Sequence, residues 1–370
     1  MAPFRTVRIG LLICGTLSGP VETIHGSYLE IYSHYFNATA PPNVRVVIDP
    51  YWIKKMEFPS NERISEYDLF MVTGSATNAY DDSIEWVRTL LSFLKDVIEN
   101  HPKVKSCGIC FGHQIVCRAL GGQCTPNAGQ WEIGPTPVDL TDMGKSIFGV
   151  DQVSLQQTHR DHVPLESLEK QFASGDLHLI GHTGVTGNQG VLKFNSSPSD
   201  PEYEVVKSHR DIHVLTLQGH PEFSESIVTG IVRQRAEDGA MDVPTATNYW
   251  GEMGGDYEDE PEEKQGTGRR WRKTDGFDIV AVVLWKMLGI TPTEEFMAKT
   301  YLWTYSKPTT IRDVSTLSKS WFALGRLRMA ITSLNPFASR KAPDTGCSLK
   351  FGLFRKFYDL CLTYLFSVSA

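Results

Sequence analysis

The feature that most constrains the fold is the sequence Gly-Ile-Cys-Phe-Gly at 108–112. A β-capable stretch precedes it, and a helix-compatible stretch over 112–120 follows. A strand that turns directly into a helix needs small residues at Gly108 and Gly112, because the two elements pack closely at the turn. Cys110 then lies at a helix N-terminus, where free N–H groups and the helix dipole favour a thiolate. The segment therefore predicts an α/β fold with a reactive cysteine at a strand end.

Short apolar runs alternate with amphipathic stretches along the first 290 residues. This alternation is typical of an α/β protein with a largely parallel sheet. The predicted strands are 8–14, 45–49, 69–73, 103–109 and 212–218. The predicted helices are 27–36, 83–100, 112–120, 225–238 and a final docked helix over 275–288. In the helix over 83–100 the apolar residues recur at spacings of three and four, which predicts one buried face; they are Ile84, Val87, Leu91, Leu94 and Ile98.

We expect one domain over residues 1–290 and a C-terminal extension over 291–370. Within the domain, 251–273 is first Gly-rich and acidic and then basic, which predicts a flexible, solvated loop insertion. The extension is basic, with eleven Lys and Arg against five Asp and Glu, and we expect it to be poorly ordered. Its last apolar run, 360–368, is too short to span a bilayer. We therefore expect no membrane association of this tail.

Composition restricts the class of protein further. A formal net charge of -7 argues against nucleic acid as the main partner. Seven scattered cysteines do not form the pattern of a secreted disulfide framework. The first fifteen residues lack the organisation of a signal peptide, and no apolar run is long enough for a transmembrane helix. These properties predict a cytoplasmic protein of enzyme size.

A second chemistry-bearing segment, Gln-Gly-His-Pro-Glu-Phe at 218–223, follows the strand predicted over 212–218. Open α/β sheets carry their ligand sites at the carboxyl ends of strands, so His220 and Glu222 are expected near Cys110. Glu222 lies two residues after His220, on the same side of an extended backbone. In that arrangement Cys110 attacks a carbonyl carbon, His220 exchanges the proton, and Glu222 orients the imidazole.

Two further places are candidates for parts of the same site. The strand over 69–73 stops at Gly74, whose N–H is a candidate oxyanion donor together with the N–H of Phe111. Loss of one such donor typically costs about 3 kcal/mol in the transition state. A polar run around His159 and Asp161 is a candidate for substrate selection, although loop residues of these types are more often solvated or capping.

Simpler interpretations remain open for several of these residues. Cys107 and Cys110 form a Cys-x-x-Cys pair, but a zinc site needs a second pair, and nothing around them resembles thioredoxin. His220 has a purely structural alternative at a strand end. Trp131 could cover core beside the site, and Gln114 could serve only as a capping partner in the first helical turn.

Taken together, these motifs resemble the class I glutamine amidotransferase family. The matching segments cover roughly residues 7–290: Gly-Ser at 74–75, Gly-Ile-Cys-Phe-Gly-His-Gln at 108–114, Trp-Glu-Ile-Gly at 131–134, His-Arg-Asp at 159–161 and Gln-Gly-His-Pro-Glu-Phe at 218–223. The resemblance implies a three-layer, flavodoxin-like fold, with a mostly parallel sheet and helices on both faces. It implies no metal and no organic cofactor.

The resemblance also implies roles for individual residues. The triad would be Cys110, His220 and Glu222. The oxyanion donors would be Gly74 and Phe111, and Gln114 would help to hold the glutamyl group. Lower-ranking candidates for substrate binding are Trp131, Glu132, His159 and Asp161.

Larger members of the family pass ammonia to a synthase domain, and no such domain is recognisable in this sequence. The version with Trp-Glu-Ile-Gly and His-Arg-Asp most resembles stand-alone members, including plant γ-glutamyl peptidases and fungal relatives. The resulting expectation is a cysteine hydrolase that cleaves a γ-glutamyl amide, in glutamine or a γ-glutamyl peptide such as a glutathione conjugate, through a γ-glutamyl thioester. The alternatives are a glutaminase subunit serving a separate synthase partner, a DJ-1-like thiol protein and a non-catalytic binding protein.

Overall fold

The computed structural model describes residues 4–195, 208–253 and 274–292. The strands are β1 (Arg5–Ile13), β2 (Val44–Trp52), β3 (Leu69–Val72), β4 (Lys105–Ile109), β5 (Thr125–Pro126), β6 (Glu132–Leu140), β7 (Gln152–His159), β8 (Asp161–His162), β9 (His178–Leu179), β10 (Gly181–His182), β11 (Val191–Phe194) and β12 (Ile212–Leu217). The α-helices are α1 (Gly19–His25), α2 (Tyr28–Thr39), α3 (Asn61–Ile64), α4 (Glu85–Asn100), α5 (Phe111–Ala119), α6 (Asp142–Phe148), α7 (Glu169–Ala173), α8 (Glu225–Glu237), α9 (Val243–Met253) and α10 (Ala281–Met287). A π-helical turn, Gly276–Val280, leads into α10.

The main sheet has the strand order β2-β1-β3-β4-β12-β11-β9. Strands β2, β1, β3, β4 and β12 are mutually parallel, β11 pairs antiparallel with β12, and β9 pairs antiparallel with β11. All five predicted strands are present within three residues of their predicted bounds. The mostly parallel α/β sheet expected from the sequence is therefore confirmed.

Both faces of this sheet are buried, and β1 shows how. Its Val7, Ile9 and Leu11 belong to one core cluster, which also contains residues of α2, α8 and α10. Leu12 belongs to a second cluster on the opposite face, with residues of α4 and α5. A strand buried on both faces is typical of parallel sheets covered by helices on each side. The three-layer, flavodoxin-like architecture follows from this arrangement.

The predicted helices are also present, with changes of detail. In α4 the buried stripe includes Leu90 and Val97, whereas Leu91 is only half-buried and Ile84 precedes the helix. The expectation for 275–288 holds, although its first turn is π-helical. None of the described helices is both long and apolar enough to cross a bilayer.

The expected loop over 251–273 is wrong at its first three residues, which form the end of α9. This helix forms because Asp242 accepts the N–H of Thr245 at 2.9 Å and because Ala246 and Tyr249 are buried. The rest of that loop, and all but the first two residues of the expected 291–370 extension, lie outside the described residues.

A second sheet, with the order β10-β6-β7, was not predicted. Strands β6 and β7 pair antiparallel from Glu132 opposite His159 to Asp139 opposite Gln152. This pair is difficult to predict from the sequence because β6 contains two prolines, which argue against a strand. The sheet matters because β7 reaches the main sheet, where the N–H of His220 donates to the carbonyl of Gln156 at 2.8 Å.

Candidate active site

Cys110 lies in a strained turn between β4 and α5. Its φ of 56° and ψ of -108° are unusual for a residue other than glycine, and its N–H donates to the carbonyl of Leu217 at 2.9 Å. A Cβ at Gly108 would lie 2.3 Å from the carbonyl oxygen of Gly112, and a Cβ at Gly112 would lie 2.2 Å from that of Val72. The predicted need for small residues at both positions is confirmed.

His220 and Glu222 form a buried pair directly after β12. The Nδ1 of His220 lies 2.8 Å from Oε1 of Glu222, and the hydroxyl of Tyr32 donates to the same oxygen at 3.1 Å. The ring of Phe223 stacks on the imidazole with centroids 4.0 Å apart and planes 3° apart. The imidazole is therefore held on one edge and one face.

The electrostatic environment of His220 favours its charged form. Burial lowers the pKa of the imidazole, but the negative charges of Glu222 and of Cys110 outweigh burial and raise the pKa to about 9. The Nε2 atom is buried and makes no hydrogen bond of regular geometry with another described residue. Since Nδ1 is occupied by Glu222, Nε2 is the atom available to exchange a proton with a reacting group.

Gly74 and Phe111, the two candidate oxyanion donors, both lie close to Cys110. Phe111 is the first residue of α5, so its N–H has no acceptor within the helix. Gly74 follows β3, the strand beside β4, and a Cβ there would lie 3.0 Å from Cε1 of His220 and 3.1 Å from the hydroxyl of Tyr28. The absence of a side chain at Gly74 is what permits the imidazole to approach this backbone.

These groups open into one cavity of about 340 Å³ at the carboxyl ends of the parallel strands. It brings together residues from distant parts of the sequence, among them Gly74, Cys110, Gln114, Trp131, His159, Asp161 and His220. Seven of the ten predicted site residues therefore line one cavity, whereas Phe111, Glu132 and Glu222 support it from behind.

The predicted substrate-binding residues differ in how much of each side chain is already engaged. Gln114 donates through Nε2 to the carbonyl of Asp161 at 3.0 Å and to Oε1 of Gln218 at 3.2 Å. Only its amide oxygen remains for a ligand. Glu132 lies behind His159, with its carboxylate 3.0 Å from Nε2 of that ring. Glu132 thus acts on the cavity through His159.

Asp161 and Trp131 have side-chain groups that are not occupied by hydrogen bonds with other described residues. The Oδ1 atom of Asp161 is buried without a hydrogen-bond partner among the described residues, and Nε of Arg160 lies 3.8 Å from it. Burial raises the pKa of this carboxyl, and nearby positive charges oppose that effect. The ring of Trp131 lies between two guanidinium groups, 5.5 Å from Arg160 and 5.1 Å from Arg235.

Sequence reasoning missed three residues of this site: Tyr28, Tyr32 and Arg235. The tyrosines belong to an aromatic stripe at positions 28, 32, 35 and 36 of α2, whose spacing predicts a buried helix face. Nothing in that spacing indicates that the stripe ends beside His220 and Glu222. Arg235 lies in the last turn of α8, where an arginine is ordinarily solvated.

The remaining cysteines do not compete with Cys110 for this site. All five described cysteines are free, and Cys107 is fully buried in β4, where burial raises the pKa of its thiol. Among residues 4–195, 208–253 and 274–292, no group of three or more His, Cys, Asp or Glu side chains could hold a metal ion.

Comparisons with known proteins point to one family. The family model described as glutamine amidotransferase class-I matches residues 43–228. A glutamine amidotransferase-like protein of Schizosaccharomyces pombe is 33% identical over 221 residues, which cover 59% of this chain and 76% of the relative. Gamma-glutamyl peptidase 2 of Arabidopsis thaliana is 30% identical over 213 residues, which cover 55% of this chain and 73% of the relative.

Among solved structures, a glutamine amidotransferase from Thermotoga maritima covers 76% of this chain and 98% of its own, with a TM-score of 0.48 and 17% identity. The family model alone spans half of the sequence and includes both the Cys110 turn and the His220–Glu222 segment. The chain therefore belongs to the class I glutamine amidotransferase family.

Proposed function

We propose that this protein is a cysteine hydrolase that cleaves γ-glutamyl amide bonds through a γ-glutamyl thioester on Cys110. The observation that carries the proposal is the meeting of two groups at one cavity. Cys110 lies in a strained turn at a helix N-terminus. His220 lines the same cavity, and its Nδ1 is hydrogen-bonded to Glu222. The similarity to γ-glutamyl peptidases supports this bond as the target.

The proposed acylation uses Cys110, His220 and the two candidate oxyanion donors together. The Cys110 thiolate attacks the γ-carbonyl carbon, and the carbonyl electron pair moves onto oxygen, where the N–H groups of Gly74 and Phe111 stabilise the negative charge. When the intermediate collapses, the C–N bond breaks. The leaving amine takes the proton of His220 Nε2, and Glu222 stabilises the imidazolium until that transfer.

Hydrolysis of the thioester reverses these roles. Neutral His220 takes a proton from a water molecule as the water oxygen attacks the thioester carbonyl. The C–S bond then breaks, glutamate leaves, and Cys110 is regenerated as a thiolate beside the imidazolium. No metal or organic cofactor takes part in this scheme.

For substrate binding we propose that Asp161 accepts the α-ammonium of the glutamyl group. Its buried Oδ1 lacks a partner among the described residues, and an ammonium supplies one. His159, fixed by Glu132, and the amide oxygen of Gln114 would border the same end of the substrate, while the ring of Trp131 forms the cavity wall.

The alternative is a glutaminase subunit that supplies ammonia to a separate synthase partner. Both functions use the same thioester, so the residues of the triad do not distinguish them. We favour the stand-alone hydrolase because its relatives include several γ-glutamyl peptidases. We also propose a cytoplasmic location, since the five described cysteines are unpaired, as expected in a reducing compartment.

The direct test is to incubate the purified full chain with glutamine, glutathione and a glutathione S-conjugate, and to measure glutamate release. We expect release from at least one of these substrates without any added protein. Release of glutamate from glutamine only after addition of a synthase would favour the alternative. No hydrolysis of any substrate, together with no trapped acyl group on Cys110, would contradict the proposal.

A further inference from the structure

Arg235 places a cation in the cavity that the triad does not use. It lies in the last turn of α8, and its Nη1 donates to the carbonyl oxygen and to the hydroxyl of Thr158, each at 3.0 Å. A guanidinium has five N–H donors in a planar fork. The donors on Nε and Nη2 make no hydrogen bond with a described residue.

No described carboxylate lies within 4.0 Å of this guanidinium. Its aromatic neighbour, Trp131, is shared with a second cation, Arg160. Burial lowers the pKa of Arg235, while negative charge at Cys110 and at Tyr28 would raise it. A partly buried arginine without a carboxylate partner is a site that gains from binding a carboxylate.

The charges in this cavity are complementary to those of a glutamyl α-carbon. Asp161, whose Oδ1 accepts no hydrogen bond from a described residue, and Arg235 both line the space that Cys110 faces. The α-carbon of a γ-glutamyl group carries an ammonium and a carboxylate, three carbon atoms beyond the γ-carbonyl. The cavity thus offers the carboxylate of Asp161 and the guanidinium of Arg235 to a group that carries one cation and one anion.

We propose that Arg235 binds the α-carboxylate of the substrate and thereby restricts the enzyme to amides of a free α-amino acid. This inference rests on the proposed function, because it assigns a specificity to the same cavity. A planar fork and a carboxylate make two parallel hydrogen bonds, which a lysine at this position would not reproduce.

The test compares glutamine with 4-aminobutanamide, which lacks the α-carboxylate, in the wild type and in Arg235→Met and Arg235→Lys. We expect Arg235→Met to lower kcat/KM for glutamine about 10- to 100-fold, mainly through KM, since hydrogen bonds to charged groups are of that strength. Hydrolysis of 4-aminobutanamide should change little. Arg235→Lys should recover part of the loss.

Arg233→Met is the matched control, because Arg233 lies on the same helix but is exposed. Equal losses on both amides in Arg235→Met would show that Arg235 only supports the wall formed by Thr158 and Trp131, and would overturn the inference. A loss confined to peptides with a C-terminal carboxylate would also overturn it, because the carboxylate recognised would then belong to the leaving amine.

The same experiment separates this inference from the proposed function. A wild type that hydrolyses neither glutamine nor γ-glutamyl peptides would contradict the proposed function itself. A wild type that hydrolyses them, with an unchanged Arg235→Met variant, would contradict only the role of Arg235. Alkylation of Cys110 by iodoacetamide, a small neutral reagent, reports in every variant whether the nucleophile is intact.

Discussion

The cavity has two walls of different construction. The catalytic wall, defined by Gly74, Cys110 and His220, stands on the carboxyl ends of three adjacent strands of the main sheet. The recognition wall, defined by Trp131, His159 and Asp161, belongs to the antiparallel strands β6, β7 and β8 and their connections. The catalytic wall is continuous with the buried core. The recognition wall is a separate, more polar layer that covers the carboxyl ends of the strands.

We expect this difference in construction to separate the residues that carry out the reaction from those that select the substrate. Positions on the catalytic wall are fixed by backbone packing, as at Gly112, where a Cβ would meet Val72. Positions on the recognition wall are fixed by side-chain contacts such as those of Glu132 with His159 and Gln189. We expect changes in the first wall to abolish turnover or folding, and changes in the second to alter which substrate binds.

The largest effect should distinguish two cysteines that are three residues apart, Cys107 in β4 and Cys110 in the turn after it. Cys110→Ala should lower kcat by about 10⁴-fold or more, because the nucleophile is lost. Cys107→Ala should retain turnover, since Cys107 is a buried core residue of β4. Glutamate release measures both, and equal activity of the two variants would break the assignment of Cys110.

The next effect concerns the orienting carboxylate. Glu222→Gln should lower kcat roughly 10²- to 10⁴-fold, since it removes the charge that stabilises the imidazolium. That charge raises the pKa of His220, so its removal lowers this pKa. The alkaline limb of the pH–rate profile, expected near pH 9 in the wild type, should therefore move to lower pH. An unmoved limb would contradict the role of Glu222.

A smaller effect tests how the catalytic wall is packed. Gly112→Ala places a Cβ 2.2 Å from the carbonyl oxygen of Val72, and we expect a loss of about 1–3 kcal/mol in the free energy of unfolding. Gly184→Ala is the control, because a Cβ there meets nothing within 4 Å. Chemical denaturation measures both variants. Equal stability would show that the turn tolerates a side chain.

The smallest effect should come from the recognition wall. Glu132→Gln keeps the shape of the side chain but removes the charge beside His159, and we expect KM to rise about 10-fold with little change in kcat. Asp139→Asn, an exposed change on the same strand, should have no effect. A fall in kcat with an unchanged KM would mean that Glu132 belongs with the catalytic wall.

The two walls also differ in how well the sequence predicts them. The parallel strands are short apolar runs, and two of them end at the Cys110 turn and at the His220–Glu222 segment. The sequence therefore predicts these strands and both motifs, but it does not predict the order of the strands in the sheet. The antiparallel pair escapes prediction because Pro135 and Pro137 interrupt β6 and because several of its buried residues, such as Glu132 and Gln157, are polar. The local sequence identifies candidates there, such as Asp161, but not their partners.

Arg235 shows a second kind of contact that the sequence does not predict. Its position in α8 is predictable, yet its place over Trp131 depends on how α8 meets β7, a contact between segments far apart in the chain. Tyr32 is similar, since its bond to Glu222 joins residues 190 positions apart. Such contacts follow from packing of whole elements and leave no local signal.

The most direct test of the central claim is to treat the intact protein with a glutamine-derived diazoketone and to locate the adduct by mass spectrometry. The tryptic peptide 106–118 contains Cys107, Cys110 and Cys117, so fragmentation must assign the modified residue. We predict one adduct per chain, on Cys110, with protection by excess glutamine. An adduct on another cysteine, or no adduct under conditions where iodoacetamide reacts, would contradict a γ-glutamyl thioester at Cys110.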